Sequence, residues 1–124
     1  MPIALTDREA DLMQILWERG ASTAAEVRER LRDDLAYTTV LTVLRTLEAK
    51  GYVDHKEDGR AHRYRARIAE QAARSNAVKH LMRKLFRGSP DLLLTQLVTD
   101  HKLDARRIER VRQLAKKHKG PGRK

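Results

Sequence analysis

The sequence predicts a mainly α-helical fold, in which a winged helix-turn-helix is followed by a C-terminal helical dimerisation region. Two observations support this prediction. Three helix signals and one hairpin signal follow each other within about 65 residues, which is the order of three helices and a β-hairpin wing. Three further amphipathic patterns come after them. The predicted limits are 1–67 for the winged helix, 68–118 for the helical region and 119–124 for a basic, disordered tail.

Two capping boxes mark the starts of the first two helices. In Thr6-Asp7-Arg8-Glu9, the threonine oxygen and the glutamate carboxylate each accept a hydrogen bond from the other residue's backbone N–H. Thr23-Ala24-Ala25-Glu26 repeats the pattern. We expect the first helix to run to about Arg19, where Gly20 ends it, and the second to run through Leu31.

A third helix and a hairpin are predicted next. The helix extends from about Tyr37 to Lys50, and Gly51 is placed for a left-handed C-cap. Two strands, Tyr52–Lys56 and Ala61–Arg65, flank Asp58-Gly59, which is the strongest short-range hairpin signal in the chain. The two strands are therefore predicted to form the wing.

Three amphipathic helices are predicted after the wing. The first ends at Gly88, the second opens with the N-cap and proline pair Ser89-Pro90, and the last starts at Asp104. Within about 45 residues they present more apolar surface than one short helical hairpin can cover, so we expect a twofold dimer interface. The residues expected to be buried across it are Leu81, Leu85, Leu93, Leu97, Val111 and Leu114.

The predicted third helix has two faces of different chemistry. At about 100° per residue, one face carries apolar residues and the other carries hydroxyls with one guanidinium. The apolar residues are Val40, Val43, Leu44 and Leu47. Such groups suit the major groove, where helix-turn-helix proteins place the start of their second helix. The candidate DNA-contacting residues are Tyr37, Thr38, Thr39, Thr42, Arg45 and Thr46. A solvated helix face, on which threonine is common, is the alternative interpretation.

The predicted wing adds three arginines. Arg60 lies beside the glycine of the turn, and Arg63 and Arg65 share one face of the returning strand because strand side chains alternate. We expect these arginines to hold the DNA backbone while the third helix contacts the bases. The wing would then position the protein on the duplex, and the helix would specify the base sequence.

The net charge of +10 indicates a polyanionic partner, and it is unevenly distributed. Residues 1–34 have a net charge of −3, residues 35–67 of +3, and residues 68–124 carry fifteen Lys/Arg against five Asp/Glu. This leaves a second hypothesis open: a basic architectural DNA- or RNA-binding protein whose affinity comes mainly from the C-terminal half and tail. A sequence-specific protein would differ from it by retaining a large preference over random DNA.

Several functional classes are not expected. The chain has no cysteine, which removes disulfides, thiolate metal sites and cysteine nucleophiles. The five histidines lack metal-ligand spacing, and no phosphate loop or nucleophile elbow occurs, so we expect no enzyme, no catalytic residue, no metal and no cofactor. Apolar runs reach only three residues, so we expect a cytoplasmic protein without membrane insertion. Trp17 is expected in the core where the first helix meets the sheet.

The sequence also resembles a known family. The stretch similar to the penicillinase-repressor family, which comprises the transcriptional repressors of bacterial beta-lactam-resistance operons and their relatives, runs from Leu5 to about Leu114. Its most specific parts are the recognition helix LAYTTVLTVLRTLEAKG, the wing DGRAHRY and the segment LFRGSP. Three features depart from the family pattern. His62 stands where the family usually has an aromatic residue, so it either loosens the wing or fills the same space. The C-terminal half is more basic, and the C-terminal cysteines through which copper-responsive relatives bind metal are absent.

The resemblance implies how such a protein works. It implies a homodimer that represses transcription by occupying a dyad-symmetric operator in double-stranded DNA, in a beta-lactam-resistance or related operon. It also implies release by proteolysis, ordered by a membrane-bound sensor metalloprotease. Alignment of LLLTQLVTDHKL with the family's cleaved helix implies a cut between about Gln96 and Leu97.

Overall fold

The computed structural model describes residues 2–117, and these residues form six helices and one three-stranded antiparallel sheet. The architecture is the mainly helical winged-helix arrangement that the sequence predicts. The predicted tail at 119–124 lies outside the described residues. In chain order the elements are α1 (Asp7–Arg19), β1 (Ser22–Thr23), α2 (Ala24–Arg30), α3 (Tyr37–Ala49), β2 (Val53–Asp58), β3 (Ala61–Ala66), α4 (Glu70–Leu85), α5 (Pro90–His101) and α6 (Ala105–Lys117).

Both predicted capping boxes are present. Thr6 Oγ1 accepts from the Glu9 backbone N–H at 3.1 Å, and Glu9 Oε1 accepts from the Thr6 N–H at 2.8 Å. Thr23 and Glu26 make the same reciprocal pair at 3.2 and 3.0 Å. Each box satisfies two backbone donors that a helix start leaves without an intrahelical partner.

The wing differs from its prediction at its edges. β2 begins at Val53 rather than Tyr52, because the Tyr52 N–H donates to the carbonyl of Leu47 at 3.0 Å and so belongs to the end of α3. Gly51, with φ of +84°, makes this turn possible, as the sequence predicts. Gly59 has φ of +65° in the two-residue hairpin turn, a conformation that favours glycine.

No sequence signal predicts strand β1. It is only two residues long, and it exists because Ser22 and Thr23 pair antiparallel with Tyr64 and Arg63 of β3. β3 is therefore the central strand of the sheet, with β1 and β2 on either side. The wing is thereby attached to the connection between α1 and α2.

A single apolar core holds the first three helices and the sheet together. Helix α1 contributes its inner face, α2 contributes Val27, α3 contributes one stripe, and the sheet contributes Val53 and Tyr64. Tyr64 is 2% exposed, so the middle of the wing is anchored in the core. Trp17 packs at the edge of this core, and its Nε1 donates to the Ile68 carbonyl at 2.9 Å, which attaches the segment after the wing to α1.

An ion pair between a buried glutamate and an exposed lysine joins α1 to the end of α3. Glu9 is 4% exposed, and its Oε1 accepts from Lys50 Nζ at 2.8 Å as well as from Thr6. Burial alone would raise the pKa of Glu9, but the bonds from Lys50 and Thr6 outweigh it and the pKa is lowered. The carboxylate is thus held in its charged form between two helices.

The chain forms two compact units, of which the first ends at Val78 and the second begins at Lys79. Helix α4 contributes to both. The functional division at residues 67 and 68 remains a prediction. Along residues 2–117, no helix combines the length and the apolarity that crossing a membrane requires.

We expect Glu9→Gln to destabilise the protein by about 1 kcal/mol at pH 7, because an amide keeps the capping-box acceptor but removes the charge that Lys50 faces. Since the folded pKa of Glu9 is lowered, the wild-type advantage is complete above about pH 4.3 and is lost as the pH falls through the folded pKa. Urea unfolding at several pH values measures it, with exposed Glu18→Gln of the same helix as the control. A difference between Glu9→Gln and wild type that stays constant down to about pH 2 would contradict this account.

Candidate nucleic-acid interface

Helix α3 presents a polar face because its opposite face is fully buried. Val40, Leu44 and Leu47 are each 0% exposed and belong to the core. Burying them fixes the rotation of the helix about its axis. The residues that this rotation exposes are the six predicted DNA-contacting residues, Tyr37, Thr38, Thr39, Thr42, Arg45 and Thr46.

Two threonines of this face use their hydroxyl hydrogens within the helix. Thr42 Oγ1 donates to the Thr38 carbonyl at 2.9 Å, and Thr46 Oγ1 donates to the Thr42 carbonyl at 3.1 Å. Thr42 and Thr46 therefore each offer two groups to a ligand. The lone pairs of the hydroxyl oxygen can accept a hydrogen bond, and the methyl group can make an apolar contact. In a major groove, such groups suit an amino donor of adenine or cytosine and the methyl of thymine. Spacing alone could have suggested these bonds, since the three threonines are four residues apart.

The turn before α3 is held by a residue that sequence reasoning missed. Arg28 of α2 donates from Nε to the carbonyl of Leu35 at 2.8 Å. This bond fixes the loop between α2 and α3 two residues before Tyr37 at the helix start. The geometry of the helix-turn-helix pair therefore depends partly on Arg28, for which the sequence offers no local signal.

Two arginines at the end of the wing, Arg65 and Arg67, share one carboxylate. Arg65 donates through Nε and a terminal nitrogen to the two oxygens of Asp54 at 2.7 and 3.2 Å, and Arg67 donates to the same carboxylate at 3.0 Å. The bond from Arg65, with that from Arg67, outweighs burial and lowers the pKa of Asp54. A phosphate approaching Arg65 would compete with this carboxylate.

Arg63 has a structural position that the sequence did not predict. Its Nε donates to Asp58 at 3.0 Å, and its terminal nitrogen donates to Glu26 at 2.9 Å and to the Ala21 carbonyl at 3.2 Å. Arg63 therefore connects the wing to the capping box of α2. Within residues 2–117, Arg45 and Arg60 have no ion-pair partner, so they are the predicted arginines most available to an anion.

A cluster of rings joins the wing to the end of α3. His55 of β2 contacts the Glu48 carboxylate of α3 through Nδ1 at 2.7 Å. The rings of His55 and His62 stack with centroids 4.2 Å apart and an interplanar angle of 11°. The two strands of the wing are thus linked by a stacked pair of imidazole rings. The wing and the helix are linked through side chains as well as through the core.

Tyr64 of the central strand packs in the same core as the buried stripe of α3. Its pKa is raised first by burial and then by the Glu48 carboxylate, while the positive charge of Arg45 opposes the shift. The structure brings the helix residues and the wing into one unit, which is the arrangement that shared contact with a duplex requires.

The second unit exposes the apolar residues predicted to form a dimer interface. Helices α5 and α6 both lie wholly within the described part of the chain and contain no buried residue, although α5 is rich in leucine and α6 is strongly amphipathic. Leu93 is half-buried, and the other five predicted interface residues are exposed, namely Leu81, Leu85, Leu97, Val111 and Leu114. The predicted cleavage pair, Gln96 and Leu97, lies on the exposed surface of α5. Their roles stay predictions.

A metal centre has no support in the described part of the chain. Among residues 2–117, no three or more histidine, aspartate or glutamate side chains are grouped in a way that could hold a metal ion.

Comparison with known proteins finds one family and several relatives, and all of them are named as repressors or regulators. The family model described as Penicillinase repressor matches residues 5–117. The methicillin resistance regulatory protein MecI of Staphylococcus aureus is 24% identical over 115 residues, which cover 91% of this chain and 94% of MecI. The transcriptional regulator BlaI of Mycobacterium tuberculosis is 49% identical over 63 residues, which cover 48% of this chain and 46% of BlaI.

Solved structures show the same fold. The transcriptional regulator Tm0710 of Thermotoga maritima matches with a TM-score of 0.55 at 19% identity, covering 93% of this chain and 74% of that one. A MarR family protein of Bacillus stearothermophilus matches with a TM-score of 0.52 at 20% identity, covering 93% and 73%. At these identities the likeness concerns the fold alone.

Proposed function

The chain belongs to the penicillinase-repressor family of DNA-binding transcriptional repressors, and we propose that it represses its target genes by binding a dyad-symmetric operator as a homodimer. The exposed polar face of α3 supports this proposal most strongly. Six polar or aromatic side chains lie opposite a stripe that is 0% exposed. The helix cannot rotate to bury them without losing the core, so they remain available to base edges in a major groove.

We propose that helix α3 recognises the base sequence and that the wing holds the DNA backbone. Thr39, Thr42 and Arg45 would contact bases, while Arg60 at the hairpin turn and Arg65 on β3 would contact phosphates. Arg65 would exchange the Asp54 carboxylate for a phosphate oxygen on binding. Arg63 would contribute mainly by fixing the wing against Glu26, since three acceptors already surround its guanidinium.

The operator is proposed to belong to a beta-lactam-resistance or related operon. MecI is named as a methicillin resistance regulatory protein, and a relative from Bacillus licheniformis, 21% identical over 117 residues, is named as a penicillinase repressor. Enrichment of genomic fragments by the purified protein, followed by sequencing, identifies the operator and its genes. Recovery of fragments that share no sequence pattern would favour the second hypothesis, a basic architectural DNA- or RNA-binding protein.

That second function has one specific observation in its favour. Residues 79–124 have a net charge of +10, whereas residues 1–78 have a net charge of zero. Sequence-independent binding through the second unit would follow from charge alone. Competition between an operator fragment and random DNA separates the two functions, because only a sequence-specific repressor keeps a preference of about a thousandfold or more.

We expect Arg45→Ala to weaken operator binding by about 1 to 3 kcal/mol and to reduce the preference over random DNA, because the guanidinium no longer bonds a base edge. Arg60→Gln should instead weaken operator and random DNA by the same factor and reduce the slope of log affinity against log salt by about 1 for each phosphate that the protein no longer neutralises. Fluorescence anisotropy over a range of salt concentrations measures both. The assignment fails if Arg45→Ala binds operator and random DNA as the wild type does.

Dimerisation is proposed to bury the apolar faces of the second unit. We expect Leu97→Asp to convert the dimer to a monomer, because it places a charge in a buried interface. Operator affinity should fall as well, since two tethered half-site contacts become independent. Thr99→Asp is the matched control. It adds the same charge to an exposed position of α5 that lies about 200° around the helix axis from Leu97. A Leu97→Asp chain that sediments as a dimer at micromolar concentration would refute this interface.

Release from the operator is proposed to occur by cleavage between about Gln96 and Leu97, performed by a membrane-bound sensor metalloprotease or a protease under its control. The bond lies inside α5, which contains no residue buried within its own chain, so in a chain that has left the dimer this helix can open locally for a protease. The cut would separate Leu97 and Val98 from the start of their helix and detach α6 from the rest of the interface. Loss of the dimer would then lower operator occupancy without altering how either half-site is bound.

Exposure of cells to a beta-lactam tests this release mechanism. We expect an immunoblot to show a fragment ending near Gln96 at the time when the target genes are derepressed. Replacing Gln96 and Leu97 by residues that the protease does not accept should keep the chain intact and the genes repressed. Derepression with the 124-residue chain intact would rule out proteolysis as the response to that inducer.

A further inference from the structure

The positive charge of residues 79–117, in the second unit, is largely unpaired. These residues contain eleven Lys/Arg against four Asp/Glu. Within that range the structure shows one ion pair, between Arg112 Nε and Glu109 Oε1 at 3.9 Å. In the first unit, by comparison, Arg63, Arg65 and Arg67 all contact carboxylates within 3.2 Å, whereas Arg45 and Arg60 make no ion pair with residues 2–117. Most cations of residues 79–117 therefore face solvent.

Helix α6 arranges part of this charge in a line. Arg106, Arg110 and Lys117 lie within about 40° of each other around the helix axis, at about 100° per residue, and Gln113 completes the line. All four side chains are exposed. At about 1.5 Å per residue the line is about 16 Å long, which matches several phosphate steps at about 3.4 Å each. We call these four residues the α6 stripe.

Three apolar residues of α6 lie on the side opposite the α6 stripe, namely Ile108, Val111 and Ala115, between about 140° and 200° from Arg106. Leu114, at about 80°, lies beside the stripe, next to Arg110. A second copy that covered these apolar residues would reach the edge of the α6 stripe at Arg110 and leave Arg106 and Lys117 in contact with solvent. The proposed dimer and a polyanion can therefore use the same helix at the same time.

We propose that the α6 stripe is a second DNA-binding surface, which contacts the phosphate backbone and supplies affinity that does not depend on sequence. The inference rests on the proposed function for its ligand, double-stranded DNA. Charge complementarity supports it, because the first unit has no net charge and three arginines at its wing, Arg63, Arg65 and Arg67, are already paired with carboxylates. An unpaired guanidinium or ammonium group can bind a DNA phosphate and release its counterions directly, whereas a paired group must first leave its carboxylate.

A charge-matched pair of variants tests the inference. The stripe variant combines Arg106→Gln, Arg110→Gln and Lys117→Gln, and the control combines Lys79→Gln, Arg83→Gln and Lys84→Gln on exposed positions of α4. Both lower the net charge of the full chain by the same amount. Anisotropy at several salt concentrations is measured with operator DNA and with random DNA, and sedimentation establishes that each variant keeps the wild-type oligomeric state.

The stripe variant should reduce the slope of log affinity against log salt by about 0.9 for each phosphate that the stripe no longer neutralises, while the control should change it much less. Its affinity for operator and random DNA should fall by the same factor, which leaves their ratio unchanged. Equal effects of the two variants, or no effect of the stripe variant, would overturn the proposal. A third outcome would also overturn it: the stripe variant keeps the wild-type salt slope on DNA but loses binding to vesicles containing phosphatidylserine. That outcome would assign the α6 stripe to a membrane surface.

This result can be separated from the proposed function. A wild-type protein without any preference for an operator would refute the proposed repressor, whatever the stripe variant does. A clear operator preference with equal salt slopes in both variants would refute the α6 stripe alone.

Discussion

The burial of one stripe of α3 is the constraint on which the rest of the structure depends. Val40, Leu44 and Leu47 reach 0% exposure by packing against α1, α2 and the sheet, and this packing fixes which side of the helix faces outward. Side-chain bonds then hold the helix at both ends. The Arg28 bond to Leu35 orders the turn before it, and the Lys50 bond to Glu9 secures its end. The polar face is therefore preorganised before DNA is present, which lowers the ordering cost of binding.

Charge in the first unit is balanced rather than merely positive. From composition alone, Arg63, Arg65 and Arg67 would be counted as free to bind phosphate. In the structure they form ion pairs with the carboxylates of Asp54, Asp58 and Glu26. Binding to a phosphate must offset the breaking of these ion pairs, which limits how much affinity the wing adds on random DNA. A neutral unit that selects sequence and a basic unit that adds general attraction would separate specificity from affinity within one chain.

Local signals predicted much of this fold, because they act over a few residues. The capping boxes at Thr6 and Thr23 and the hairpin signal at Asp58-Gly59 each define an element through neighbours in the chain, although the turn itself is formed by Gly59 and Arg60 and Asp58 pairs with Ala61. Strand β1 could not be predicted in this way, since two residues become a strand only when β3 lies beside them. The same limit applies to the site. Helical periodicity identified the outward face of α3, whereas two partners of Arg63 are separated from it by 37 and 42 residues.

The central claim is that the outward face of α3 contacts base edges in the major groove, and site-directed disulfide cross-linking tests it most directly. The chain has no cysteine, so Thr42→Cys introduces a unique thiol on that face. Operator duplexes carry a thiol tether on a base edge, either in the major groove or in the minor groove of the same half-site. We predict that the cross-link forms with major-groove tethers in both half-sites and not with minor-groove tethers. Cross-linking that is equal in the two grooves, or that favours the minor groove, would contradict the account.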